Sequence, residues 1–234
     1  MQEPILIISD IHLTPIFHKK RFVLLQRLFE EANTIILNGD FFDNYFSYQW
    51  TVRSRWAPLF AILKEKHVIY LFGNHDPDSL KLRKVASPFV NQFQKKFSFS
   101  YGQKEFFVLH GDVIVSCDTK LCRKWGKYPV MKEFLDFIWR MSYGFLRMFS
   151  FLSHKFPKSL GYFYLRLVKR QNKLMKEFAR RELKENQVLV CGHTHVQEMD
   201  MQNRFINTGA NCCFPRVEYL LLKEGKLFLE SEKV

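Results

Sequence analysis

Five short runs of Ile, Val, Leu and Phe, each breaking off into a cluster of Asp, Asn or His, constrain this chain more than any other feature. The runs cover residues 5–9, 34–38, 67–72, 105–109 and 187–191. Each is short, β-branched and bounded by turn residues, so each reads as a buried strand. Between the first three lie segments of helical period: 19–32, with Phe22, Leu25, Leu28 and Phe29 on one face, and 50–66, with Trp56, Leu59, Phe60 and Leu63. The strand-helix-strand-helix-strand order predicts an α/β fold in which helices pack on a parallel sheet and ligands gather at the carboxyl ends of its strands. Nearer the C-terminus, 204–208, 217–223 and 226–231 read as shorter strands, the last two forming a hairpin across Glu224-Gly225.

The polar clusters stand where such a sheet delivers its ligands. Asp10-Ile11-His12 follows the first run, Gly39-Asp40-Phe41-Phe42-Asp43 the second, and Gly73-Asn74-His75-Asp76 the third. His110-Gly111-Asp112 follows the fourth, and Gly192-His193-Thr194-His195 the fifth. Taken singly, an Asp-x-His or a Gly-Asn-His-Asp is mostly turn and cap chemistry. Five in order, each behind a strand, are not accounted for that way. Glycine in the last four clusters, Gly39, Gly73, Gly111 and Gly192, lets the backbone bend and an ion or phosphate oxygen come close. Carboxylate, imidazole and amide ligands without thiolate suit manganese, iron or zinc. His18, His67 and His154 lie outside the clusters and read as surface or packing residues.

Composition limits what surrounds this site. With 47% apolar and 25% charged residues among 234, the chain can bury a full core and is no disordered tail. No secretory leader pattern opens it, and its five cysteines are odd in number with no Cys-x-x-Cys pair, so a cytosolic chain with reduced thiols is expected. Between 113 and 187 the strand pattern stops. That stretch holds 17 Lys and Arg against 6 Asp and Glu, so it carries most of the chain's net charge of +13. The division is therefore a core of 1–112 and 188–234 with a basic, aromatic, helical insertion at 113–187.

Within the insertion, Phe134, Phe137, Ile138, Met141, Phe145, Met148, Phe149 and Leu152 recur at three- and four-residue steps, which describes an amphipathic helix over 131–152. Charges recur too often for a membrane span. A second helical stretch, 162–185, carries Lys169, Arg170, Lys173, Lys176, Arg180 and Arg181, with Pro157 and Gly161 marking the break before it. One reading is a hairpin packed on itself. The other is a lid whose apolar residues meet acyl chains or the bilayer interface while its Lys and Arg meet anionic headgroups.

The full series, Asp-x-His, Gly-Asp-x-x-Asp, Gly-Asn-His-Asp, His-Gly-Asp and Gly-His-Thr-His, resembles the calcineurin-like metallophosphoesterase superfamily. The resemblance implies a four-layer α/β sandwich with a helical lid insertion and two divalent metal ions. By motif, Asp10, His12 and His195 would hold the first ion, Asn74, His110 and His193 the second, and Asp40 would bridge them. Such a pair activates a water and neutralises the phosphoryl oxygens during in-line attack. His75 would stabilise the phosphoryl charge or protonate the leaving oxygen, with Asp76 orienting it. Asp43 and Asp112 would support the ligands or cap the turns.

A helical insertion between His-Gly-Asp and Gly-His-Thr-His, and the polar Ser116-Cys117-Asp118 after the former, also resemble the UDP-2,3-diacylglucosamine pyrophosphatase branch. Membership there implies manganese, an acylated nucleotide-sugar substrate cleaved to diacylglucosamine 1-phosphate and UMP in lipid A synthesis, and peripheral contact with the cytoplasmic face of an anionic inner membrane through 131–185. That branch usually has Arg where this chain has His75. Arg suffices for a phosphate leaving group, whereas His can also protonate an alkoxide, so a soluble phosphodiesterase or phosphatase stays open. A nuclease would use the charge, but aromatics at helical spacing beside Leu and Met point to apolar burial rather than base stacking. A non-catalytic scaffold would show lost ligands, and none is lost.

Overall fold

A computed structural model describes residues 1–43, 48–115, 158–211 and 216–234, the side chains of 158–169 excepted. The elements run β1 (Ile5–Ile8), α1 (Lys19–Glu31), β2 (Thr34–Asn38), α2 (Gln49–Arg55), α3 (Ala57–Lys64), β3 (His67–Leu71), α4 (Leu80–Ala86), β4 (Gln92–Gln94), β5 (Phe97–Tyr101), β6 (Lys104–Val108), α5 (Lys158–Glu182), β7 (Gln187–Cys191), β8 (Glu198–Asp200), β9 (Phe205–Asn207), β10 (Arg216–Lys223) and β11 (Lys226–Lys233).

The strands form two sheets rather than one, with orders β11-β10-β1-β2-β3-β4 and β5-β6-β7-β9-β8. Alternate residues of nearly every central strand are buried on opposite faces, which explains runs that are apolar throughout. Ile5, Ile7, Ile36, Ile69 and Leu71 of the first sheet meet Phe106, Val108, Val188, Val190 and Ile206 of the second. The intervening Leu6, Ile8, Ile35, Leu37, Val68 and Tyr70 pack under α1 to α4 with Leu25, Phe29, Trp56, Leu59 and Phe60. On the far side, Leu189, Cys191 and Phe205 meet Met175 and Ala179 of α5. Helices, sheet, sheet and helix thus make four layers. The expectation of a single parallel sheet carrying all five runs is corrected here: β1, β2 and β3 belong to one sheet, β6 and β7 to the other.

Local chemistry sets the helix boundaries. The His18 side chain caps α1 by accepting from the Arg21 amide at 3.4 Å. The helical segment expected over 50–66 is two helices that change direction at Trp56, because Pro58 supplies no amide in the first turn of α3. Trp56 is anchored there by its Nε1, which donates to the Thr14 carbonyl at 2.8 Å. The expected hairpin is present, its turn formed by Glu224 and Gly225 with φ of 53° and 71°.

Of the insertion, residues 113–115 and 158–187 are described, the latter holding α5. The expected second helix begins at Lys158, directly after Pro157, and runs through Gly161. From Asn172 onward its buried side packs on the second sheet. The amphipathic stretch 131–152, His154, and Cys117, Cys122, Cys212 and Cys213 lie outside the described residues. Cys191 is a free, buried thiol. Among the described residues, no helix is long and apolar enough to cross a membrane.

Candidate metal centre

The strand registers bring the polar clusters together. Ile8 stands opposite Leu37, and Asn38 opposite Leu71, so Asp10, Asp40 and Asn74 emerge from adjacent strand ends. In the second sheet Val108 pairs with Val190, which brings out His110 and His193 side by side. Backbone bonds then lace the loops together. The Asp10 amide donates to the Gly39 carbonyl at 3.1 Å, His12 to Asp40 at 2.8 Å, and Gly192 to His110 at 3.0 Å.

These loops are strained. Asp10, His12, Asp40, His193 and His195 have φ of 52°, 47°, 53°, 68° and 60°, in the left-handed region that side chains beyond Cα disfavour. Elsewhere among the described residues, only Arg204 and Glu224 share it without being glycine. Strain gathered on the residues of one rim marks a site held by its surroundings for a purpose. The flanking glycines are part of the fit: a Cβ on Gly73 would lie 2.2 Å from Asp40 Oδ1, and one on Gly192 would lie 2.2 Å from Asp10 Oδ2.

Each buried carboxylate has one oxygen fixed by an amide and the other turned toward imidazoles. Asp10 Oδ2 accepts from the His193 amide at 2.9 Å, and Asp10 Oδ1 faces His195 Nε2 at 3.1 Å and His12 Nε2 at 3.9 Å. Asp40 Oδ1 accepts from the His75 amide at 2.8 Å, while Asp40 Oδ2 lies 3.6 Å from His12 Nε2 and 3.2 Å from His110 Nε2. His110 Nε2 is also 3.1 Å from Asn74 Oδ1. Asp10, His12 and His195 form one group of converging ligand atoms and Asp40, His110 and His193 another. Asp40 sits between them.

The residues fit a cation. His12 Nε2 is buried and makes no hydrogen bond among the described residues, and the buried Asp10 Oδ1 meets only imidazole nitrogens, an arrangement that is costly without a charge to satisfy both. His110 Nδ1 is engaged by the Asn38 carbonyl at 3.0 Å and His193 Nε2 by the Val115 carbonyl at 2.7 Å. Donating there fixes each ring's tautomer and leaves the opposite nitrogen with its lone pair for a metal. The electrostatics agree for Asp10, Asp40, His12 and His193, whereas His110 would have to give up a proton to ligate a cation. Burial would raise the Asp10 and Asp40 carboxyls, but His110 with His195 beside the first, and His110 with His12 beside the second, hold both well below the usual carboxylate range. Burial drops His12 to about 4, so that ring is neutral and able to donate its lone pair at pH 7. His193 is lowered by burial and by His110. His110 opposes burial through Asp40 and Asp10 and is held well above its ordinary value.

At the edge of this centre the expected roles of two acids exchange. The carboxylate against His75 Nδ1, at 3.1 Å, belongs to Asp43 and not to Asp76. Asp76 turns inward: Oδ1 accepts from the amides of Asp40 and Gly73, both at 2.9 Å, and Oδ2 from those of Phe41 at 2.7 Å and Phe42 at 3.2 Å. The Tyr70 hydroxyl also donates to Asp76 Oδ2. Asp76 therefore shapes the Asp40 loop. Burial and the nearby Asp40 push its carboxyl up to about 7, against those hydrogen bonds. His75, although burial pulls it down, is raised to about 9 by its bond to Asp43 and the charge of Asp40. Asp112 acts on His110 through its charge.

A sixth strand end, outside the expected clusters, completes the rim. After β9, Thr208 Oγ1 bonds Ser9 Oγ at 2.7 Å, and Asn211 donates its amide to the Asp10 carbonyl at 3.0 Å and its Nδ2 to the Ser9 carbonyl at 2.8 Å. The signal was the polar run Asn207-Thr208-Gly209 behind a short apolar strand, the same grammar as the other five without a His or Asp.

Two sheets between helices, with acids and imidazoles converging where their rims meet, define the class of metal-dependent phosphoesterases. A profile of the calcineurin-like phosphoesterases matches residues 3–197, and the chain belongs to that family. Among solved structures, the chain is similar to the Yfce phosphoesterase of E. coli at 16% identity, over 96% of this chain and 91% of that one, with a TM-score of 0.45. A dimetal phosphatase from Danio rerio aligns at 10% identity over 99% and 97%, with a TM-score of 0.47. Zinc-complexed Vps29 from Entamoeba histolytica aligns at 13% over 98% of each, with a TM-score of 0.44. Comparison with curated proteins gives no match.

Proposed function

We propose that this phosphoesterase works with two divalent ions, manganese by preference, held by Asp10, His12 and His195 on one side and Asn74, His110 and His193 on the other, with Asp40 shared. The observation that carries the reading is the placement of Asp40 Oδ2 between His12 and His110, at 3.6 Å and 3.2 Å, with the buried His12 Nε2 making no hydrogen bond among the described residues. When bound, such a pair supplies an activated water and positive charge for the phosphoryl oxygens. The chain's own residues do the rest. Asp40 and Asp10 keep the ligands apart in fixed geometry through their amide bonds. His75, protonated at pH 7 with its pKa near 9, is the acid that delivers a proton from its ring to the leaving oxygen, and Asp43 keeps that ring charged and oriented.

For the substrate we propose UDP-2,3-diacylglucosamine, hydrolysed to 2,3-diacylglucosamine 1-phosphate and UMP at the cytoplasmic face of an inner membrane. The support is the basic, aromatic sequence of 113–187 and the exposed Arg170, Lys173, Arg180 and Arg181 on α5, which suit anionic headgroups. A phosphodiester or phosphomonoester is the second reading, favoured by the His75–Asp43 pair, since an alkoxide gains most from a proton donor. The test is to incubate the manganese-loaded protein with the acylated nucleotide sugar, its deacylated analogue, bis-nitrophenyl phosphate and single-stranded DNA. Release of UMP from the acylated compound is expected to be fastest. Cleavage of the nitrophenyl diester with no UMP release selects the second reading, and cleavage of the DNA alone makes the protein a nuclease.

A further inference from the structure

Asn172, on the buried face of α5 and 1% exposed, reaches into the loop that carries His193 and His195. Its Oδ1 accepts from Thr194 Oγ1 at 2.6 Å and from Asn207 Nδ2 at 3.3 Å. Its Nδ2 donates to Glu198 Oε2 at 2.9 Å and to the Val196 carbonyl at 3.3 Å. Asn207 closes the circuit by donating to Thr194 Oγ1 and to the Gly192 carbonyl, both at 2.9 Å. The Thr194 hydroxyl therefore uses its proton and a lone pair at once, and Asn172, Thr194 and Asn207 bond one another in the buried interior.

The position of that hydroxyl gives the network its meaning. Thr194 lies between His193 and His195, whose φ of 68° and 60° are both left-handed. Such residues are strained and persist only where the surroundings over-determine the backbone. The loop's own backbone offers Thr194 one bond, from its amide to the Gly192 carbonyl at 2.8 Å. The His193 amide adds its bond to Asp10 Oδ2 at 2.9 Å and the His193 ring its bond to the Val115 carbonyl, while the side-chain circuit is what restrains Thr194 between the two rings, with one member supplied by a helix of the sequence insertion.

We infer that Asn172 is a positioning residue for the candidate metal centre: acting through Thr194, it holds the loop on which His193 and His195 present their rings to the cations. The inference rests on the reading of those two histidines as metal-holding. It makes α5 part of the centre's support, although none of its described side chains belongs to a ligand group.

The experiment compares wild type, Asn172→Leu, Thr194→Val and Thr194→Ser. Each protein is stripped with chelator, melted metal-free, and titrated with Co²⁺ while the visible absorption of the bound ion is recorded. Asn172→Leu and Thr194→Val should weaken Co²⁺ binding by about tenfold and alter the bands of the bound ion, as loss of an outer support does elsewhere, and Thr194→Ser should stay within about twofold of wild type. Thr194→Val keeps the shape of the side chain, so it reports on the hydroxyl even if Asn172→Leu does not fold. Variants that melt lower yet bind Co²⁺ with wild-type affinity and spectrum would overturn the inference, leaving Asn172 a core residue only. Wild type that binds no Co²⁺ would instead sink the metal reading beneath it.

Discussion

The rim of the first sheet and the rim of the second contribute opposite halves of the site. From β1 and β2 come the two acids of the ligand groups, Asp10 and Asp40; from β6 and β7 come His110, His193 and His195. Each half is unfavourable alone, since two buried acids lack counter-charge and the buried His110 lacks an acid. Across the seam they correct one another: His110 holds both acids ionised, and those acids hold His110 well above its ordinary value. The difference teaches that sheet packing and site assembly are one event. The apolar face of Ile5, Ile7, Ile36, Val108, Val190 and Ile206 brings together charges that neither sheet tolerates by itself.

The comparison breaks most completely at Asp40. Asp40→Ala removes the acid between the two ligand groups, and hydrolysis should fall by about a thousandfold or more, the scale on which a charge-stabilising group is lost. Calorimetric titration with Mn²⁺ should show the two-ion stoichiometry lost at the same time. A mere rise in KM would show that Asp40 does not bridge.

Next in size is Gly192→Ala, which wedges a methyl against Asp10 Oδ2 and Ser9 Oγ, each 2.2 Å away, directly on the seam. Overpacking of this kind should cost about 1–3 kcal/mol, read as a lower midpoint in urea denaturation of the chelated protein. The acidic half can also be tested by its reach outward. Asp43→Asn takes the counter-charge from His75, whose raised pKa of about 9 should then fall. Because His75 acts protonated, the alkaline limb of the kcat profile should move to lower pH, with about a tenfold loss at pH 9 on a nitrophenyl diester and little change at pH 6. An unmoved limb would assign the proton to another group.

The smallest effect belongs to the outer side of the second sheet. Lys176 bonds Asp200 Oδ2 at 2.7 Å and holds its carboxyl down at about 2. A depressed folded pKa stabilises above the unfolded value of 3.8 and is lost as pH falls toward 2. Lys176→Met should therefore lower stability at pH 6 by less than about 1 kcal/mol, with the difference from wild type shrinking as pH falls below 3.8 and vanishing only below about pH 2, measured by urea denaturation at each pH.

Much of this was legible in the sequence because strand ends and metal ligands use visibly different residues. Asp10, His12, Asp40, Asn74, His110, His193 and His195 each follow an apolar run, and the rim brings them together. The division into two sheets was hidden, since a strand buried against a helix and a second sheet has the same apolar pattern as one buried between two helices. Residue adjacency misled at His75: Asp76 is next in sequence, but a turn sends it under the Asp40 loop, and Asp43 arrives from the neighbouring strand. Asn172, Asn207 and Asn211 carry no charge and belong to no dense cluster, so only packing reveals that they brace the loops.

The left-handed backbone at five rim residues bears on how this centre can be altered. Asp, Asn and His are the side chains other than glycine that tolerate that conformation best, and they are also the donors found here. Ligand choice and loop shape are thus a single constraint. Exchanging Asp10 or Asp40 for Asn changes charge while sparing the backbone, whereas Val or Ile at the same place confounds the two. A thiolate entering at any of those five positions would meet backbone strain as well as a change of donor, whereas Asn74 and His110 lie outside that region.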